Sequence, residues 1–210
     1  MDARAQRTQD ALRATILRLA QEQEISQISV AQVARAAKIN RVTFYNHATS
    51  PMDLLTQTLR KQLVPVRSHV LDGPQVQPTT APPSSSPRPR PIEELGEHLI
   101  VHQVMYRRNI TPTGHGAVAN FLTQHFAQTV YQHLAEQSRH LATALEAAPE
   151  HSQSALDATA QFISHGTIGV IAVWLHDGTE LTVQRLVTYL DNLFPAWWLR
   201  IADGTTNEQS

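Results

Sequence analysis

Residues 29–47 read Ser29-Val-Ala-Gln-Val-Ala-Arg-Ala-Ala-Lys38-Ile39-Asn40-Arg41-Val42-Thr43-Phe44-Tyr45-Asn46-His47. Ser29 is a ready N-cap for a short helix over Val30–Ala37, because its hydroxyl can accept a free amide of the first turn. Lys38-Ile39-Asn40 is a tight connector, and Asn40 can cap a third helix running from Arg41 to Asn46. Two short helices on a tight turn, with another helix before them, are the parts of a helix-turn-helix. Ile39 and Phe44 are the apolar members of the second half and are expected to face inward. Arg41, Val42, Thr43, Tyr45, Asn46 and His47 then face outward. That surface is rich in donors and free of carboxylates, which suits a DNA major groove: Arg grips guanine, Asn suits adenine, and Val or Thr meets a thymine methyl.

Working outward, Leu12, Ile16, Leu19 and Ala20 form one stripe of a helix over roughly 6–23. Downstream, Ser50-Pro51 is a helix start, with a serine cap and then proline at the first helical position. That helix is expected to reach Leu63, or Val70 with a kink at Pro65. Seven of the twelve prolines lie between Asp72 and Pro91, with Ser84-Ser85-Ser86 among them, so neither helix nor sheet is expected there. Arg88 and Arg90 read as solvated linker charges. Beyond it, helical periodicity returns over 92–108, 118–145, 152–175 and about 181–199, the last through Pro195, with Thr179 or Thr182 as its cap. The expectation is an all-α protein.

The chain has 210 residues, 41% of them hydrophobic and 17% charged, which is enough apolar material for a core. It has no cysteine, excluding disulfides, thiolate metal sites and cysteine nucleophiles. No unbroken apolar run approaches the ~20 residues of a membrane span, and Met1-Asp2-Ala3-Arg4 does not open a signal peptide, so a soluble, cytoplasmic protein is expected. The net charge of −1 hides an asymmetry: residues 1–67 hold 10 Lys and Arg against 5 Asp and Glu, the rest 7 against 13. A basic head on an acidic body fits polyanion binding by the head.

Residues 28–55, above all Thr43-Phe44-Tyr45-x-His47 and Asp53-Leu54-Leu55, resemble the DNA-binding region of the TetR family of bacterial transcriptional regulators. The resemblance covers residues 8–63 well and extends loosely to Gly166–Gly178 and Leu186–Trp198. It implies a helix-turn-helix DNA-binding domain over 1–50, a connecting helix over 51–71, a flexible linker over 72–91, and a ligand-binding and dimerisation domain over 92–210. By position, Arg41, Val42, Thr43 and Asn46 match base-facing residues; Ser29, Tyr45 and His47 match residues that contact phosphate. The resemblance also implies a homodimer on a palindromic operator and a small-molecule effector, as in a repressor.

Three positions depart from the family pattern. Lys38 stands where glycine is usual, so its backbone is expected to need a conformation other than the left-handed one; its charge is close enough to the recognition helix to join the DNA-binding set. Ala48 replaces an aromatic. Pro51 replaces a phosphate-binding lysine, leaving the amides of Met52 and Asp53 to favour an anion.

In the body, Gly166 and Gly169 allow close helix approach, and Trp174, Trp197 and Trp198 are large apolar surfaces; together they are the expected dimer interface. His102, Met105, Tyr106, Phe121, His125 and Phe162 mix apolar walls with sparse polar groups and are the expected ligand pocket. Plain core packing is the alternative for each. His98 and His102 are one turn apart, and His125, His133 and His140 fall near one face, but no acid or cysteine completes a ligand set, so neither metal nor cofactor is expected. No G-x-S-x-G, H-E-x-x-H, P-loop or dinucleotide fingerprint is present, which argues against an enzyme. The rival reading keeps the fold but loses tight DNA binding, leaving a dimer that binds a ligand or protein.

Overall fold

The computed structural model describes residues 3–72, 90–145 and 153–194, and every regular element among them is helical. The order is α1 (Ala3–Glu22), a 3₁₀ turn (Ile25–Gln27), α2 (Val30–Ala36), α3 (Arg41–Tyr45), α4 (Pro51–Gln62), α5 (Val64–Asp72), α6 (Pro91–Val101), α7 (Gln103–Asn109), α8 (Ala117–Leu145), α9 (Gln153–His176) and α10 (Val183–Leu193). The fold is all-α, an amino-terminal helix-turn-helix head on a helical body. Of the expected linker over 72–91, residues 73–89 lie outside the described residues, as do Trp197 and Trp198, while Asp72 closes α5, Arg90 caps α6 and Pro91 opens it.

The helix after Pro51 ends at Leu63 as expected and a new one starts at Val64, which places Pro65 in the first turn of α5, where its missing amide costs no hydrogen bond. Two boundaries differ from the sequence reading. The expected helix over 92–108 breaks at His102 (φ −108°, ψ 21°), and no proline or glycine marks the place. α10 ends at Leu193 because Phe194, the residue before Pro195, is extended (φ −87°, ψ 149°), as a pre-proline residue prefers. Thr182 does stand at its N-cap, yet its side chain makes no capping bond.

The α1 stripe is buried as its spacing predicts: Leu12, Ile16, Leu19 and Ala20 enter a core that continues through Leu54, Leu55 and Leu59 of α4. The same core runs on into the body through Met105, Tyr106, Trp174 and Leu190, so head and body share one interior. α8 and α9 are the longest pair and run antiparallel. Gly114, just before α8, lies against Gly169 and Ala172 near the end of α9, while Tyr131 on α8 accepts from Gln153 at the start of α9. By length and composition α9 is apolar enough to cross a membrane, although its sequence has no unbroken apolar run; almost half of its most apolar stretch is buried inside the molecule.

The head is tied down by α7. Asn109, 7% exposed, accepts from the Ile25 amide (2.7 Å) and donates to the Ala20 carbonyl (3.0 Å). Arg108 donates to the neighbouring Gln21 carbonyl (2.8 Å). Two carbonyls left over at the end of α1 are thus satisfied from the body. On its other side α7 is joined to α9: Arg107 donates to the Leu175 carbonyl (2.6 Å), and His176 Nε2 to the Ile110 carbonyl (2.8 Å).

Candidate nucleic-acid interface

Ser29 builds a capping box: its hydroxyl accepts from the Gln32 amide (3.2 Å), while the Gln32 side chain accepts from the Ser29 amide (2.7 Å). α2 then ends in a Schellman motif, with the Ile39 amide bonded to the Ala34 carbonyl (2.9 Å) and the Lys38 amide to the Arg35 carbonyl (3.2 Å). This motif needs a left-handed residue, and Lys38 supplies it at φ +57°. The expectation that lysine would change the backbone here is therefore corrected. The chain keeps the conformation glycine would adopt and accepts its strain, leaving the ammonium group exposed beside the turn.

Asn40 caps α3 by accepting from the Thr43 amide (2.7 Å). Phe44 is fully buried and Ile39 half-buried, which fixes how α3 sits. Arg41, Val42, Tyr45 and Asn46 are exposed, Val42 to 70% and Tyr45 to 59%. Thr43 and His47 are half-buried at the edge of that face. Tyr45 stands edge-on to Phe44 with ring centroids 5.6 Å apart. Ala48 is buried (4%) at the α3–α4 turn, so the small side chain there is packed.

The start of α4 differs from its expected role. The Asp53 amide is occupied by the Ser50 hydroxyl (3.0 Å), so it is not free for an anion. The Asp53 carboxylate accepts from the amide and hydroxyl of Thr49 (2.7 and 2.9 Å). Chiefly the Thr49 amide bond holds its pKa below the usual carboxylate range. A negative charge already complements this helix end.

The six residues expected to form a ligand pocket line neither of the two cavities seen among the described residues. Met105 and Tyr106 are fully buried core, and Phe162 is 65% exposed on the outside of α9. Phe121 stacks on His125 (5.8 Å between centroids, 13° between planes) beneath the Arg60 guanidinium. His102 faces Gln62 of α4 (Nε2 to Nε2, 3.4 Å) and lies 4.8 Å, ring to ring, from His98. The cavity instead lies between α5, α6, α8, α9 and α10, with a volume of about 130 Å³. Val66, Leu95, Phe126, Val130, Ile163, Leu190 and Phe194 give it apolar walls, and Thr129, His133 and Thr167 a polar edge. Periodicity flagged α8, but Phe121 and His125 lie one turn before the cavity-lining Phe126 and Thr129, under Arg60 rather than at the cavity. A second, more polar cavity of about 420 Å³ includes His115, Asn120, Gln161 and His165.

Arg90 is not a solvated linker charge. Its guanidinium grips Asp191 of α10 through both terminal nitrogens (3.1 and 3.0 Å), beside the cavity. Among the described residues no group of three metal-ligating side chains converges. His98 is pushed down to about 4 by burial and then by His102 alongside; its Nε2 lies 2.9 Å from the Tyr106 hydroxyl.

Of the expected dimer residues, Trp174 is fully buried within the chain and donates from Nε1 to the Thr182 carbonyl (3.2 Å), so it cannot meet a second subunit. Gly166 is half-buried, and a Cβ there would meet the Phe194 ring at 3.3 Å, so its smallness serves α10. Gly169 is exposed with open space above it. It shares one outward stripe with Phe162, His165 and Val173, at helical spacing.

No family model matches the chain, and no curated protein does. Among solved structures it is similar to the dihydroxyacetone kinase operon activator DhaS, at 16% identity over 88% of this chain and 94% of that one, with a TM-score of 0.48. Similarity at that level assigns no function to this chain.

Proposed function

We propose that this chain is a sequence-specific DNA-binding transcriptional regulator of the TetR type, a ligand-responsive repressor working in the cytoplasm as a homodimer on a palindromic operator. The observation that carries the reading is the α3 face, on which Arg41, Val42, Tyr45 and Asn46 stand exposed around a buried Phe44 with no carboxylate among them. Arg41, Val42, Thr43 and Asn46 take the base edges. Lys38, Tyr45 and His47 take the phosphates on either side; Ser29 does not, because its one hydroxyl proton already bonds the Gln32 side chain (2.9 Å). The sequence resemblance over residues 8–63 supports the same assignment. Nothing in the sequence pattern asks for a catalytic role, a cofactor or a metal.

Residues 1–50 form the reading head, 51–71 the connection and 92–210 the effector and dimer domain. Two subunits meet through the outer stripe of α9, around Gly169, which sets two α3 helices about 34–36 Å apart on one DNA face. An effector in the 130 Å³ cavity shifts the population of head positions if it binds one better than the other. The rival, a dimer that has lost tight DNA binding, is favoured by Pro51 and by the Asp53 carboxylate, which withdraw a cation and an amide from the α4 end. Selection from a randomised duplex pool at low salt separates the two. Recovery of one palindromic motif, with affinity falling steeply as salt rises, supports the regulator. Retention of no duplex leaves the rival.

A further inference from the structure

Resting on the effector reading above, we infer that the cavity between α5, α6, α8, α9 and α10 takes a small uncharged aromatic molecule of one ring bearing one hydrogen-bond donor, phenol being the simplest example. Size comes first. A volume of about 130 Å³ is smaller than a drug-sized or multi-ring ligand requires. It is close to the roughly 150 Å³ of an apolar engineered cavity that accepts benzene. Val66, Leu95, Phe126, Val130, Ile163 and Leu190 surround the space, so the occupant's body is apolar.

Charge comes second. The strongest charges at the cavity are those of Arg90 and Asp191, and they hold each other through two bonds of 3.1 and 3.0 Å. The pair leaves no net charge to reward a carboxylate or ammonium ligand, which would lose its own hydration against the apolar walls. Polar polarity comes third. The Thr129 hydroxyl donates to the His125 carbonyl (3.0 Å) and the Thr167 hydroxyl to the Ile163 carbonyl (2.8 Å). Each hydroxyl has one proton, and it is already used on its own helix, so toward the cavity each oxygen can only accept. A ligand with one donor is matched by either of these two oxygens.

The test uses the full chain without DNA, titrated with phenol, toluene, benzoate and decanoate by calorimetry and by ligand-detected NMR. Phenol is expected to bind at one site, with benzoate and decanoate at least about tenfold weaker, a difference of about 1.4 kcal/mol. Ile163→Trp fills the space and should abolish phenol binding, while Val101→Trp, at an exposed position at the end of α6, should leave it unchanged. Thr129→Val combined with Thr167→Val keeps the shape and removes both acceptors; phenol should then fall to the affinity of toluene, whatever the fate of the tryptophan variant. Binding of none of the four, tighter binding of benzoate than of phenol, or phenol binding indifferent to both cavity substitutions overturns the inference. Such a failure with operator binding intact removes only the ligand class; phenol binding with no duplex selected removes the regulator reading instead.

Discussion

Asn109 Oδ1 accepts the Ile25 backbone amide at 2.7 Å, so one side chain of the body closes the turn between α1 and α2 of the head. The same amide group donates to Ala20 of α1 and to Met105 on its own helix. Through α7 the bond continues to α9, by way of Arg107 and His176. Any motion of the body that shifts α7 therefore reaches the base of the head through the buried Asn109 bonds.

Asn109→Ala strands a buried amide and two carbonyls, each worth about 1–3 kcal/mol when left without a partner. A loss of several kcal/mol in urea unfolding is expected, with the head losing hydrogen-exchange protection before the body does. Asn109→Asp keeps the acceptor for Ile25 and loses the donors, and should fall between alanine and wild type. Equal stability of Asn109→Ala and wild type would show that the joint contributes nothing.

Lys38 holds a left-handed backbone at φ +57°, which costs a non-glycine residue about 1–2 kcal/mol. Lys38→Gly relieves that strain and gives back part of it through the freer unfolded chain, for a net gain of about 1 kcal/mol. The same change removes a cation beside α3, so it should weaken binding to all duplexes alike and flatten the salt slope by about one. Thermal unfolding and salt-dependent titration read the two effects separately. A stabilised variant with an unchanged salt slope would take Lys38 out of the interface.

The His98 imidazole is held at about 4, below its usual 6.5, by burial and then by the neighbouring His102. It is neutral in the folded chain, and the unfolded chain takes the proton first as pH drops. Stability is thus full above about pH 6.5 and falls between there and pH 4, by on the order of 3 kcal/mol from this group. His102 and His125, also lowered by burial, add in the same direction. His98→Gln should flatten the fall in urea-unfolding free energy over that range. An unchanged pH profile would mean that His98 does not stay neutral in the folded chain.

What the sequence made legible was local. The caps at Ser29, Asn40 and Ser50 and the α1 stripe depend on near neighbours, and each was readable from spacing alone. The cavity was not, because five helices contribute to it and no spacing reports which face of α8 meets α9 and α10. Trp174 misled for a related reason. A large apolar residue near the chain's end needs burial, but its own chain provides that burial once α10 folds back over it. Arg90 looked like a linker charge because its partner, Asp191, lies 101 residues away.

Arg41 and Tyr45 both stand exposed on α3, yet their substitutions should differ in kind. A guanidinium forks two donors onto one guanine edge, so Arg41→Ala should cost about 1–3 kcal/mol on the selected operator and relax the choice at one base pair per half-site. A phenol hydroxyl reaching a phosphate carries no base information, so Tyr45→Phe should weaken all duplexes by about 1 kcal/mol and leave the preferred motif as it was. Phe44→Leu serves as the contrast: it touches no DNA, but it loosens the fully buried ring that seats α3, so affinity should fall together with the melting temperature. Titration of each variant against the selected motif and single-base changes resolves the three patterns. If Arg41→Ala and Tyr45→Phe both keep wild-type affinity and choice, α3 is not the element that reads DNA.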